Sequence, residues 1–316
     1  MDPIAQTYSE FIKAEAQRLG FDACGCAAAR PVSEDAQQNF RHWLAEGKQA
    51  GMDYMRNYQE VRLDPRLLVE GAQSVVSVAL NYYPKQLIAS DHYQFAWYAY
   101  GKDYHDVMKG KLLQLLQAIQ TQFPEAKGRA FCDAAPLLER YWAWQCGLGW
   151  IGKNCQLIIP QAGSTFFLGE LVLNLPLAYD APLPDRCGTC DRCLQACPMH
   201  ALEAPRQLNA NRCLSYLTIE NRGDIPIEAA TAMGDCIYGC DRCQQACTWN
   251  RFAQPTTEPA LQPQEAFLQM TRDDWAHLTE EQYRTLFKGS AVKRAKYAGL
   301  TRNILAVKKR ESTNKD

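Results

Sequence analysis

The run Cys187-Gly-Thr-Cys190-Asp-Arg-Cys193-Leu-Gln-Ala-Cys197-Pro198 constrains this chain more than any other stretch. Its C-x2-C-x2-C-x3-C-P spacing offers three thiolates to three irons of one iron-sulfur cube, while the fourth, redirected by the proline, reaches a second cube. The pattern predicts a matching run downstream. Cys240-Asp-Arg-Cys243-Gln-Gln-Ala-Cys247 supplies it, with Cys213 and Cys236 between the two. In two-cluster ferredoxins the last cysteine of each run serves the other run's cluster. Cys187, Cys190, Cys193 and Cys247 are therefore expected to hold one [4Fe-4S] cube, and Cys197, Cys240, Cys243 and one further ligand the other. Zinc is the competing reading, but it prefers two C-x2-C pairs around one tetrahedral ion to a three-cysteine run ending in Cys-Pro. Disulfides fit less well still: Met1 to Ala23 carries Asp2, Glu10 and Glu15 and has no apolar stretch of secretory length. The fourteen cysteines thus read as metal ligands and buried thiols of a cytoplasmic chain.

At 316 residues the chain exceeds the usual single-domain size. No apolar run approaches the roughly 18 to 20 residues that span a bilayer. A net charge of −1 excludes binding to nucleic acid through overall charge, yet the balance is uneven along the chain. Between Glu281 and Glu311 no acid occurs, whereas Arg284, Lys288, Lys293, Arg294, Lys296, Arg302, Lys308, Lys309 and Arg310 all fall there. That tail is a candidate nucleic-acid contact, with a solvated helix face as the plain alternative.

Taken in order, residues 3–19 have helical apolar spacing, and Phe21 to Ala27 reads as a buried strand whose Cys24 and Cys26 are core thiols. Glu34 to Lys48 is a second amphipathic helix, Ser74 to Tyr83 a central strand, and Asp103 to Gln122 a helix with a broad apolar face. Trp97 to Tyr104 is aromatic and broken by Gly101, which suits a core or the wall of a flat ligand equally. Arg129 to Cys132 is a short strand leading to Asp133, placed where a proline-initiated helix is expected to begin, so Asp133 is either an N-cap or a group facing a cleft. Three glycines within Gly147 to Gly152 suggest backbone brought close to a bulky ligand, without the ending of a phosphate loop. Cys155 to Pro160 and Ser164 to Asn174 are expected to pair as a hairpin. Prolines 182 and 184 mark the boundary of residues 1–180 from a cluster domain at 181–254, with a helical basic segment at 255–316.

Seven stretches in order then resemble the epoxyqueuosine reductases: Gly51-Met-Asp-Tyr-Met, Tyr98-Ala-Tyr-Gly-Lys-Asp-Tyr-His105, Asp133-Ala-Ala-Pro-Leu-Leu-Glu-Arg140, Gly147-Leu-Gly-Trp-Ile-Gly-Lys153, Phe166-Phe-Leu-Gly-Glu170, Cys213-Leu-Ser-Tyr-Leu-Thr-Ile-Glu220 and Ile237-Tyr-Gly-Cys240. The resemblance implies an α+β protein, with a nitroreductase-like cobalamin-binding domain, a two-cluster ferredoxin-like domain and a short helical tail. It implies a cytoplasmic enzyme that binds cobalamin base-off and reduces epoxyqueuosine to queuosine in tRNA, with electrons from an unidentified donor, no membrane, and a monomeric state. By the same resemblance Asp133 is the proton donor, its carboxyl held protonated beside a hydrophobic corrin. Arg56, Arg140, Asn154, Ser215 and Asp241 match corrinoid contacts, Arg56 with the poorest register because the family often has its basic residue where this chain has Asn57. Cys213 completes the second cube, which leaves Cys236 as a spare thiol. Many family members continue into a helical-repeat region, so any tRNA contact made there falls here to the stretch from Arg284 to Arg310. Two rival readings are an electron carrier without a catalytic site and a small-molecule enzyme like the reductive dehalogenases.

Overall fold

The computed structural model describes residues 2–313, with side chains through residue 310. Helix α1 (Pro3–Arg18) is opened by Asp2, whose carboxylate accepts from the Ile4 amide at 2.9 Å, with proline at the first helical position where a missing N–H costs nothing. Strands β1 (Ala23–Ala28), β2 (Ser74–Asn81), β3 (Gly128–Phe131) and β4 (Phe166–Leu173) form one antiparallel sheet. In it β2 pairs with β1 and β4, and β4 pairs with β3. All of β2 is buried, as its run of Val and Ala requires of a strand covered on both faces.

Alternation along the strands sorts the side chains between two layers of helices. Val76, Val78 and Leu80 of β2, with Leu171 and Leu173 of β4, pack on Ile12 and Ala16 of α1 and on Met108, Leu112 and Leu115 of a long helix, α3 (Tyr104–Gln122). Val75, Ala79 and Val172 face the other way, toward Phe40 and Leu44 of α2 (Glu34–Ala45) and Tyr141 and Trp142 of α4 (Glu139–Gln145). Each fully buried aliphatic or aromatic side chain here contributes about 1.5–3 kcal/mol over its exposed state.

Two expectations fail in this region. The hairpin does not form: Leu157–Ile158 pairs back onto Trp150–Ile151, and β4 already has a partner on each side. The glycines of 147–152 meet protein and do not line the large cavity: a Cβ on Gly149 would lie 2.1 Å from the Ile158 carbonyl oxygen, one on Gly152 2.5 Å from the Ile158 side chain, and one on Gly147 2.9 Å from the Ala181 carbonyl oxygen.

A third core joins all three expected segments. Tyr93, Phe95 and Tyr100 pack with Leu214, Leu217, Ile237 and Tyr238, and these in turn with Phe267, Trp275, Val292 and Leu300. Cys236–Tyr238 runs parallel to Gln94–Phe95, and the buried Asn303 donates to the carbonyls of Thr218 and Ile237 at 2.8 and 2.9 Å. Helix α6 (Lys296–Thr313) is thereby anchored on the cysteine-bearing segment and on α5 (Leu214–Ile219). The basic tail is partly committed to these contacts. Arg294 is paired with Glu220 at 2.7 Å, Arg284 with Glu280 at 2.7 Å, and Arg302 donates to the carbonyls of Leu217, Asn221 and Gly223. Among the described residues no helix is long and apolar enough to cross a membrane.

Candidate active site

Each Cys-Asp-Arg-Cys stretch leads into a single-turn helix, Arg192–Gln195 and Arg242–Gln245. Folding divides the cysteines into two sets. Cys187, Cys190, Cys193 and Cys247 line a small cavity of about 70 Å³ together with Lys153 and Trp249. Cys197, Cys213, Cys240 and Cys243 line a larger cavity of about 370 Å³. The charge neighbours agree with this division: Cys187 and Cys190 act on Cys247, while Cys240, Cys213 and Cys197 act on Cys243. Among the described residues no three His, Cys, Asp or Glu side chains close around a single-ion position. Four thiols set around a volume suit a cube better than a tetrahedral ion.

Cys213 stands at the N-terminus of α5, where burial pushes its thiol up against the opposing effect of the Tyr216 and Ser215 amides. Cys236 is turned elsewhere. Its Sγ donates to the Gly239 carbonyl at 3.0 Å, and burial pushes its thiol far up. Cys26 is a core thiol as expected, pushed up to about 12 chiefly by burial.

The larger cavity is walled by Tyr82, Tyr98, Tyr104, Leu157, Phe166 and Phe167. The aromatic stretch around Gly101 therefore serves both suggested purposes, with Tyr98 and Tyr104 on the wall and Tyr100 in the core. Asp133, Arg140, Asn154, Ser215 and Asp241 all line the cavity. Asn154, nearly fully buried, donates to the Cys243 carbonyl at 3.3 Å, and Arg140 to the Cys155 carbonyl at 2.9 Å. Asp241 accepts from the Trp97 amide at 2.7 Å, and burial pushes its carboxyl up to about 6. Arg56 is not brought to this site. Its guanidinium donates to the Leu44 carbonyl at 3.0 Å, so the expected corrinoid contact at this position is not formed by the cavity wall.

Asp133 follows β3 in a left-handed conformation, φ +53°. It is not an N-cap: α4 begins only at Glu139, with Glu139 and Arg140 as its first residues. Instead the Asp133 side chain is gripped by the end of the Tyr98–His105 stretch, residues to which the sequence assigned no such role. The Tyr104 hydroxyl donates to its Oδ2, and His105 Nε2 lies 3.2 Å from the same oxygen. His105 Nδ1 is 2.7 Å from Asp103, which caps α3 by accepting from the His105 amide. The Asp133 amide donates to Glu139 Oε1.

This geometry reverses the expected electrostatics. The hydrogen bond from His105 holds the Asp133 carboxyl below its ordinary value despite the opposing effect of burial. Two carboxylates, Asp103 first and Asp133 second, push His105 up to about 9. Burial, with the Asp133 charge second, pushes Glu139 up to about 7. Behind them Glu170 is fully buried on β4, accepts from Ser77 Oγ at 3.2 Å through Oε1, and leaves Oε2 without a partner. Protons are therefore favoured on His105, Glu139 and Glu170 around the Asp133 carboxylate, and Glu139 shares the cavity wall with it.

Comparison with known proteins places this geometry among relatives. Residues 62–134 match the family model described as epoxyqueuosine reductase QueG, DUF1730, and residues 186–250 match a 4Fe-4S double cluster binding domain. An epoxyqueuosine reductase of Cellulophaga algicola is 46% identical over 299 residues, covering 95% of this chain and 97% of the relative. A solved epoxyqueuosine reductase holding an epoxyqueuosine-modified tRNA-Tyr stem loop superposes with a TM-score of 0.88 at 28% identity, over 95% of this chain and 80% of that one. The Bacillus subtilis structure, whose aspartate-bearing catalytic loop is swung out of its active site, has the same TM-score of 0.88 and identity of 28%, over 95% of this chain and 81% of that chain.

Proposed function

The chain belongs to the epoxyqueuosine reductase family, and on that premise we propose that it reduces epoxyqueuosine to queuosine at the wobble position of tRNA. Cobalamin, bound base-off, would occupy the larger cavity, and [4Fe-4S] clusters would occupy the two thiol sets. A single observation carries the proposal: four thiols and Asp133 line the same cavity. Its aromatic and aliphatic walls suit the face of a corrin, and Arg140, Asn154, Ser215 and Asp241 suit the amide fringe. When bound, cobalamin would supply an electron-rich metal beside the epoxide, and the clusters would supply single electrons.

The chain's own residues manage the protons. Converting the epoxide to an alkene takes two electrons and two protons and releases the oxygen as water. Asp133 delivers a proton to the departing oxygen, and His105, 3.2 Å behind it, refills the carboxylate. Tyr104 fixes the direction of Oδ2. Glu139 holds the Asp133 amide, so the residue keeps its left-handed conformation.

The tRNA backbone is proposed to meet the basic turn Ala291–Ala295, where the Lys293 charge acts on Asp103 and the Arg294 charge on Asp133. Lys293 and Lys296 are exposed there, while Arg294 is already engaged with Glu220.

Anaerobic incubation with cobalamin, a reductant and tRNA bearing epoxyqueuosine is expected to yield queuosine on nucleoside analysis. Intact epoxide after incubation with fully loaded protein would refute the assignment. The pH dependence follows from His105. Its value in the folded protein lies above the ordinary 6.5, so the imidazolium and its ion pairs are intact below about 6.5 and lost as pH rises through about 9. Single-turnover rates are expected to fall above about pH 9. Asp103→Asn removes the larger cause of the shift and should move that alkaline limb downward without altering corrinoid uptake. An unmoved limb would assign the stored proton elsewhere.

A further inference from the structure

The eight thiols proposed as cluster ligands are not equally reachable. Cys190 is exposed, whereas Cys197, Cys213, Cys240 and Cys243 face the inner cavity. An electron arriving from outside therefore meets the Cys190 set first. Cations collect around that set. Lys153 Nζ donates to the carbonyls of Gly188 and Cys190 at 2.7 and 2.8 Å, and Arg186 lines the small cavity beside Cys187. Exposed Arg192 and Arg251 line an adjoining groove of about 450 Å³ that has Cys247 on its wall. The nearby acids are engaged: Asp185 is paired with Arg206, and Asp191 accepts from Gln195 at 2.9 Å.

The same groove has an apolar part. Tyr83 and Trp97 line it, their rings edge to face with centroids 5.1 Å apart. An aromatic centre with a basic rim is the composition of a protein-docking face, where charge steers the encounter and aromatic side chains supply contact area. Polynucleotide has a different place to bind, since Lys293 and Arg294 stand beside the Asp103 and Asp133 end of the molecule.

We propose that the face containing Arg192 and Arg251 docks a small acidic one-electron carrier protein, which delivers electrons to the cluster held by Cys187, Cys190, Cys193 and Cys247. The inference rests on the reading that these thiols hold a cluster. Each encounter transfers one electron: the carrier's centre is oxidised and the cluster reduced, with no bond made or broken.

The test uses cluster-loaded enzyme and the double variant Arg192→Glu/Arg251→Glu, with a reduced plant-type [2Fe-2S] ferredoxin as probe. At low ionic strength the variant's Kd for the ferredoxin is expected to rise at least about tenfold, a loss typical of reversing two rim charges. Wild-type affinity should fall with added salt. Iron content, dithionite-driven turnover and affinity for the tRNA stem loop should stay at wild-type values. Equal ferredoxin affinity in variant and wild type would overturn the proposal. A fall in stem-loop affinity instead would give the face to nucleic acid. Wild-type protein that takes up no iron would remove the cluster reading and the docking face with it, an outcome distinct from either of the others.

Discussion

Replacing Asp133 with alanine is expected to cut single-turnover reduction by about 10²–10⁴-fold, the range that positioned acid catalysis supplies, while iron content and corrinoid uptake stay unchanged. Uptake is spared because the aromatic and aliphatic wall and the Arg140, Asn154, Ser215 and Asp241 side chains all remain. The size of the loss follows from placement. Asp133, Glu139 and Asp241 all bring carboxyls to the cavity wall, and of these Asp133 is the one linked to His105 through Oδ2. Asp133→Asn should be as slow as the alanine variant, since an amide can accept from Tyr104 but cannot carry the proton onward. It should also lower the His105 titration, which depends in part on the Asp133 carboxylate. Glu139→Gln offers the contrast. Its amide oxygen can still accept the Asp133 N–H, so its effect should be small beside that of Asp133→Ala if Glu139 only positions the loop, and comparable if its proton is consumed. Normal turnover by Asp133→Ala would dismiss the proton-donor role altogether.

Left-handed backbone at a residue other than glycine costs on the order of 1–3 kcal/mol and persists where neighbours over-determine it. Asp133 has three such neighbours, Tyr104 and His105 on its carboxylate and Glu139 on its amide. The conformation is part of how the carboxylate is aimed.

The sequence discloses most about features that are local. Cluster-ligand spacing is set within a dozen residues, so the Cys187–Cys197 run could be read directly, and the structure places Cys247 with the first three cysteines and Cys213 with the second set. Central strand β2 was legible for a similar reason, since burial on both faces leaves an unbroken apolar run. What escaped were meetings of distant segments. His105 lies in the first turn of α3 and Asp133 just past the end of β3, and their contact exists because α3 starts where β3 finishes. No periodicity reports that. The glycines of 147–152 misled because a ligand and neighbouring residues impose the same demand for a missing Cβ, and here Ile158 makes it at Gly149 and Gly152 and Ala181 at Gly147. Basic residues of the tail misled in part because charge in sequence does not reveal pairing: Arg294 and Arg302 are held by Glu220 and by the carbonyls of Leu217 to Gly223.

Cys213→Ala should halve the iron and sulfide of the loaded protein and abolish turnover, whereas Cys236→Ala should keep both at wild-type levels. The two thiols lie on either side of Tyr216 to Gly234 in the chain and both are near Cys240, so proximity alone does not separate them. Orientation does. Cys213 faces the cavity with Cys197, Cys240 and Cys243, while Cys236 spends its proton on the Gly239 carbonyl at a strand end. For Cys236 to replace a lost Cys213, Cys236–Tyr238 would have to leave its pairing with Gln94–Phe95 and a buried thiol would have to ionise, so rescue is not expected. The double variant should therefore match Cys213→Ala in iron, and the electron paramagnetic resonance signal of the cluster on Cys187, Cys190, Cys193 and Cys247 should survive in both. If Cys236→Ala loses half the iron and Cys213→Ala loses none, the fourth ligand is Cys236, and the cavity wall would have to rearrange on loading to bring it in.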